Sequence, residues 1–438
     1  MRKARIGVVC LTRKTYDYIE AYRLYQERMI ELVKDTTVDW KIYKENVIEP
    51  EDAEEAIHYL IREEVDAVVI ISATFHLGHL ALMINEALKK PILLWGFDEL
   101  PYNGGKIRLN AVCGVNLNAS NLYKAGVDNY VVTIGDTIDK DWVTAIKALV
   151  AIKTTNVGLV GYRAQGFYNV GVDDLAVYRN LGILINHYEL KDLFSREPSK
   201  EKIEEEIKYI KDNFSIKELN DNQVTLVAKL IGSTELFLKE KHVDAIAIRC
   251  WPEFAATYGV APCAMMSILQ ARGILLACEG DIEALLSMIA VKAIGEPTPF
   301  MADLSQVNFK ENFALLWHCG VAPCNLWDKK CVRSLDTYFA GGKGVTAGFV
   351  LQSGDFSIFR IDTARGKTRL FYEEGKAVPM DKLLTGTFAK VHFKHDVKDV
   401  LDKVVNTGVA HHVVMGYIQY ERVVDILAKI MNWEIIKC

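Results

Sequence analysis

The sequence has no long apolar run. No stretch approaches the roughly 20 apolar residues of a membrane-spanning helix, so no membrane partner is expected. It has no basic excess either: 52 lysines and arginines face 57 acidic residues, a net charge of −5, which leaves no cationic face for nucleic acid. Cysteine is sparse, with nine residues in 438, odd in number and scattered, which excludes a disulfide framework and suits a reduced, cytoplasmic protein. Cys319, Cys324 and Cys331 cluster, but without the paired spacing of a structural zinc site, so core or loop thiols are the expected roles. The short apolar run near the start is followed by Arg13, Lys14 and Asp17 instead of a small-residue cleavage site, so no secretory leader is expected. A phosphate-cradling glycine loop is missing as well. Gly341-Gly342-Lys343-Gly344 lies among strand-like runs, not between a strand and a helix.

What is present is layered α/β patterning. A chain of 438 residues exceeds what one hydrophobic core usually holds, and two or three domains are expected. Residues 5–11, 38–43, 66–72 and 91–95 are short apolar, β-branched runs, each followed by a segment with helical spacing of apolar residues. That alternation predicts a doubly wound parallel-sheet domain over residues 1–152. It recurs over residues 153–296, with strands at 156–161, 182–187, 244–250 and 274–278. Gly295-Glu296-Pro297-Thr298-Pro299 is the clearest breaker cluster. Beyond it, close-spaced strand-like runs over residues 297–438, the glycines at 341–344 among them, predict a β-barrel-like domain closed by a helix at 420–431.

Four clusters could carry chemistry: Glu279-Gly280-Asp281, Asp303, Trp317-His318-Cys319 and His411-His412. Two carboxylates with imidazoles form a plausible shell for a borderline-hard divalent cation such as Mn²⁺. Glu279 follows a strand, where ligands bind in doubly wound sheets, and so does Glu253, beyond Trp251. Asp281 is well placed as a helix N-cap. Asp303, taken alone, reads as a turn or capping residue, and His318 as a hydrogen-bonded core histidine. Adjacent residues of a strand face opposite ways, so one of His411 and His412 is expected to face a given site. Only the combination favours a metal.

That combination resembles the L-fucose/L-arabinose isomerase superfamily. Glu279-Gly280-Asp281 after a strand, Phe300-Met301-Ala302-Asp303, Trp317-His318-Cys319-Gly320 and Gly408-Val409-Ala410-His411-His412 carry the resemblance, and the domain order matches along the whole chain. It implies one divalent cation, Mn²⁺ or alternatively Co²⁺ or Mg²⁺, held by Glu279, Asp303 and His412, with His318 as a further ligand in the arabinose branch. Ala302 stands where that branch has a glutamate, so the acids look like the fucose side. The resemblance also implies Glu279 and Asp303 as the catalytic acid and base, and a homotrimer or homohexamer in which one subunit's N-terminal domain reaches another's site. Arg13, His76 and His79, past strand ends, together with Trp251 and Glu253, are the expected sugar contacts. The expected activity is aldose–ketose isomerisation of a pentose or deoxyhexose such as L-fucose, D-arabinose or L-arabinose through an enediol. A metal-dependent epimerase or aldolase and a non-catalytic sugar-binding protein are the alternatives.

Overall fold

A computed structural model describes residues 2–337 and 342–438. The chain divides into two compact units.

The first unit holds residues 2–151 and 422–433. Its strands are β1 (Arg5–Leu11), β2 (Asp39–Val47), β3 (Ala67–Ser72), β4 (Ile92–Gly96) and β5 (Tyr130–Ile134). They form one parallel sheet in the order β2-β1-β3-β4-β5. The central strand β3 is buried at every residue, as a sheet covered on both faces requires. The sequence pattern finds β1 to β4 and passes over β5, an edge strand whose residues are mostly half-exposed. Helix Pro50–Arg62 starts where its chemistry dictates. Proline takes the first turn, and the Glu49 and Asp52 side chains reciprocally cap the backbone. From the far end of the chain, Arg422 pairs with Asp139 (Nη1 to Oδ1, 3.2 Å) and Lys429 lies 5.0 Å from the centre of the Tyr130 ring.

The second unit holds residues 152–421 and 434–438. Its first sheet is parallel, β7-β6-β8-β9, built from β6 (Val157–Val160), β7 (Asn186–Tyr188), β8 (Ala245–Ile248) and β9 (Leu275–Ala277). The remaining strands are β10 (Phe300–Asn308), β11 (Phe313–His318), β12 (Ser334–Thr337), β13 (Val345–Val350), β14 (Gly354–Ala364), β15 (Lys367–Val378), β16 (Thr387–Phe393), β17 (His412–Gly416) and β18 (Glu434–Ile436). Pairing of β15 with β16 closes β16-β11-β10-β17-β14-β15 into a six-stranded barrel, with the other three as extensions. Parallel α/β sheets followed by a β-barrel are the expected architecture. Of the glycine run expected as strand, Gly341 lies outside the described residues, and Gly342–Gly344 precedes β13 as a short turn.

Helix Ile282–Ile294 joins the parallel sheet to the barrel. Its residues from Ile282 to Val291 are all buried, and Ser287 Oγ accepts the backbone N–H of Ile361 on β14 at 2.7 Å. Barrel closure depends on one small residue. Gly375 of β15 faces Phe393 of β16, and a Cβ there would stand 2.3 Å from the His392 carbonyl oxygen and 2.9 Å from Phe393 Cα. Backbone cannot yield as a flexible side chain can. Gly375→Ala is therefore expected to destabilise the protein by about 1–3 kcal/mol, the usual cost of overpacking. Thermal unfolding checks this, and an unchanged midpoint would mean the closure is loose.

Candidate metal centre

Glu279 leaves β9 in a left-handed conformation (φ +62°), which turns its carboxylate toward the barrel. Gly280 follows with φ +76°. Any Cβ at Gly280 would lie 2.3 Å from the Tyr162 carbonyl oxygen, so only glycine lets the 161–173 loop close against this turn. The Ala164 N–H donates to the Glu279 carbonyl across that contact (3.0 Å). Asp281 then caps the next helix by accepting the Ala284 N–H at 2.9 Å.

The barrel supplies the other groups. Asp303 is not a turn residue. It lies within β10, paired with Trp317 of β11 on one side and His412 of β17 on the other, and three-strand pairing leaves no room for a turn. The register places His412 beside it, and His318, the residue after Trp317, stacks on the His412 ring with centres 5.6 Å apart. His412 Nε2 lies 3.3 Å from Glu279 Oε2 and 3.6 Å from Asp303 Oδ1. One donor atom from each of Glu279, His318 and His412 falls within 4.8 Å of the others. Glu279 Oε2, Asp303 Oδ1, His318 Nε2 and His412 Nε2 are all buried, and none has a hydrogen-bond partner. Buried polar atoms are nearly always partnered, so four orphans gathered around His412 mark a candidate site. Two carboxylate oxygens and two imidazole nitrogens are a donor set that fits a borderline-hard divalent cation.

Behind these atoms stands a network that fixes their orientation. His412 Nδ1 and Asp281 Oδ2 are 2.9 Å apart; with the proton on Nδ1, the ring donates to the carboxylate and turns the Nε2 lone pair to the site. Arg360, fully buried on β14, donates to both Asp281 oxygens (2.9 and 3.3 Å), to Asp362 (3.2 Å) and to the His412 carbonyl (3.1 Å). Burial opposes charge on Asp281, but Arg360 and His412 outweigh it and hold the carboxyl well below its ordinary range. Glu279 is likewise disfavoured by burial, yet His411 and His412 bring it down to about 2. Burial resists charging His412, while Asp281 and Glu279 push it up to about 9.

The two histidines do not divide between faces as strand alternation suggests. β17 begins at His412, so His411 precedes the strand and is free of its pleat. Its ring centre lies 4.0 Å from that of His412, and its Nε2 is 3.6 Å from Glu279 Oε2. Asn169 Nδ2 is 2.9 Å from His411 Nδ1 and orients the ring. Phe167 packs against His411 on one side and Trp251 on the other (5.6 and 6.0 Å between ring centres), so Trp251, 39% exposed, extends an aromatic wall from the site. Glu253 is ion-paired with Arg249 and lines a separate cavity of about 810 Å³ with Lys191, Phe194 and Lys229. Arg13 and His76 belong to the first unit. Arg13 follows β1 half-buried, its N–H donating to Thr74 Oγ1 (2.9 Å). His76 is fully buried beside Ser72 Oγ and Asn118 Nδ2 (2.9 and 3.2 Å), and burial takes it down to about 4. Asp281 as anchor for His412, Arg360, Asn169 and Phe167 all lie beyond what the sequence reading named. No helix among the described residues is long and apolar enough to cross a membrane.

Comparison with known proteins finds sugar isomerases. Residues 7–159 match the family described as fucose/sulfoquinovose isomerase, N-terminal domain. Sulfoquinovose isomerase of Priestia megaterium is 25% identical over 445 residues, covering 99% of both chains. The enzyme of the same name from Alkalicoccus urumqiensis is 24% identical over 382 residues, 85% of this chain and 86% of that one. A periplasmic solute-binding protein from Actinobacillus succinogenes with bound D-allose aligns at 13% identity and a TM-score of 0.18, too low to bear on function. Along nearly its whole length the chain is similar to sulfoquinovose isomerases, and over residues 7–159 to the N-terminal domain of fucose/sulfoquinovose isomerases.

The network behind the site is separable from its donors. Asp281→Asn keeps a competent helix cap but leaves Arg360 buried without its main counter-charge. A cost of about 3–5 kcal/mol is expected, the usual loss when one partner of a buried ion pair is removed. Urea unfolding measures it, and a change under 1 kcal/mol would show that Asp362 alone can compensate Arg360.

Proposed function

We propose that this chain, a sugar aldose–ketose isomerase, works on a sugar bound beside one divalent cation, Mn²⁺ or alternatively Co²⁺ or Mg²⁺. Glu279, Asp303 and His412 would hold it, with His318 as fourth ligand. The convergence of four orphaned buried donor atoms supports this reading most directly. When bound, the cation supplies Lewis-acid stabilisation of oxygen charge and a template for two adjacent substrate oxygens.

The side chains do the rest. Isomerisation moves a proton between C2 and C1 of the open-chain sugar by way of an enediol. One of Glu279 and Asp303 takes the C2 proton while the other manages the hydroxyl proton, and reversal of the roles delivers hydrogen to C1. Glu279, held ionised by the neighbouring imidazoles, is ready to accept. Asp281 holds Nδ1 of His412, so that in the neutral ring with its proton on Nδ1 the Nε2 lone pair would face the site. Phe167 and Trp251 offer aromatic faces on which the sugar's apolar C–H surface can lie.

The sequence resemblance points to a pentose or a deoxyhexose such as L-fucose, D-arabinose or L-arabinose as substrate. A second reading has its own support, since the full-length relatives act, by name, on sulfoquinovose. That sugar is a hexose with a sulfonate in place of its 6-hydroxyl. Arg163, on the loop that abuts Gly280, stacks over Tyr168 (4.6 Å) and Tyr162 (5.0 Å), and its Nε is buried without a partner. An anionic substrate terminus would complete its bonding. Arg13 and His79 could add hydroxyl contacts from a neighbouring subunit in a homotrimer or homohexamer.

Two assays test this. Glu279→Gln and Asp303→Asn should each cut ketose formation by about 10²–10⁴-fold, the worth of general acid–base catalysis, and weaken metal binding while leaving the fold intact. His412→Ala should weaken the metal more than His411→Ala. Full activity of either acid variant would overturn the assignment, and cleavage or epimerisation of the sugar without ketose would favour an aldolase or epimerase. Arg163→Met should raise KM for a sulfonated aldose by about 10–100-fold, as loss of one charged hydrogen bond implies, and leave a neutral aldose unaffected. Equal effects on both sugars would remove the anionic reading.

A further inference from the structure

The parallel sheet of the second unit has a crevice separate from the acid centre. β6 lies between β7 and β8, and the chain leaves it for β7 on one side before returning to β8 on the other. In open α/β sheets, ligands bind outside the carboxyl ends of the strands, at the point where connections diverge in this way. The cavity of about 810 Å³ stands there, with Gly161 beyond β6, Glu189 beyond β7 and Arg249 beyond β8 all in its lining. Helix Asp221–Lys241, through Leu226 and Lys229, and the π-turn Phe254–Tyr258 complete it. Such turns are rare and occur frequently at functional sites. The described lining includes none of Glu279, Asp303, His318 and His412.

We propose that this cavity is a second small-molecule site and binds a phosphorylated monosaccharide. Its charged groups are Lys191, Lys229 and Arg249 against Glu189 and Glu253, so cations outnumber carboxylates. Lys229 is paired with Glu197 (2.7 Å), which leaves recognition of an anion chiefly to Lys191 and Arg249. Arg249 and Glu253 are ion-paired through Nη2 and Oε1, and the remaining Nε and Oε2 are buried without a partner. Buried polar atoms seldom stay so. One of these atoms is a donor and the other an acceptor, so a simple ion cannot satisfy both. A ligand that does carries an anionic oxygen for the guanidinium and a hydroxyl for the carboxylate, and arginine and lysine together suit phosphate oxygens. The Phe194 and Tyr258 rings, 5.1 Å apart between centres, supply apolar surface for the C–H face of a sugar. The Tyr258 hydroxyl is occupied, donating to the Leu226 carbonyl at 3.2 Å. The volume also fits, since small-molecule sites span about 300–1,000 Å³. The proposal needs neither the cation nor the isomerase reading, because the cavity shares no residue with the acid centre.

Isothermal titration calorimetry of the whole protein with methyl α-D-glucopyranoside 6-phosphate tests this. The glycoside cannot open to an aldehyde, so it is no substrate for an aldose–ketose isomerase. It is expected to bind with a submillimolar dissociation constant. The neutral methyl glucoside and inorganic phosphate, each lacking part of the contacts, should bind at least about 10-fold more weakly. Lys191→Met, which changes an exposed side chain, should weaken the phosphorylated glycoside by about 10–100-fold, the worth of one charged hydrogen bond. Arg249→Met should do at least as much, and Lys191→Met decides the matter even if that variant fails to fold. The Glu279→Gln/Asp303→Asn double variant should bind the glycoside as the wild type does. No binding heat at millimolar ligand, equal binding of inorganic phosphate, or an affinity indifferent to Lys191 would each overturn the proposal. Loss of binding in the double acid variant would overturn it as well, by placing the ligand in the acid centre.

Discussion

The geometry of the second unit depends on one buried aspartate. Asp281 caps helix Ile282–Ile294, binds the Arg360 guanidinium of β14 with both oxygens and anchors Nδ1 of His412 on β17. Helix and barrel are thus tied through a single carboxylate. Charge of both signs is buried there, which is stable only because Asp281 and Arg360 are paired. The same carboxylate holds Nδ1 of His412 and so the tilt of its ring. Stability and site orientation are therefore one interaction seen from two sides.

The carboxylates reach this centre by opposite routes. Glu279 arrives from the parallel sheet through a left-handed turn that Gly280 makes possible, and Asp303 arrives from within a barrel strand. Placing one acid on each sheet lets the junction of two architectures form a site that neither could form alone. Six-stranded closure holds β10, β11 and β17 side by side, so Asp303, His318 and His412 keep a fixed spacing. A preorganised donor set of this kind avoids reorganisation when charge develops on a substrate.

Much of this was legible in the sequence. Continuous β-branched runs such as Ala67–Ser72 mark parallel strands because both faces are covered, and short close-spaced runs mark the barrel. Glu279 after a strand and His412 in a histidine pair each have ordinary structural readings, and only their combination with Asp303 and His318 singles them out. What escaped depends on pairing across the chain. Asp303 reads locally as a turn because nothing local reveals its partners Trp317 and His412, more than ten residues away. Asp281 reads correctly as a cap, but its bond to His412 spans 131 positions. Arg360 looks like a surface residue until Asp281 and Asp362 are placed around it. Strand alternation does not govern His411, because the strand begins only at His412.

The central claim is that the orphaned atoms of Glu279, Asp303, His318 and His412 converge to hold one hard cation. Anomalous diffraction at the manganese edge, from crystals grown with Mn²⁺ and an alditol, tests it most directly. The account predicts one strong peak at coordination distance from Glu279, Asp303 and His412, with two alditol hydroxyls completing the shell. A map with no peak there, or with manganese only elsewhere, would contradict it.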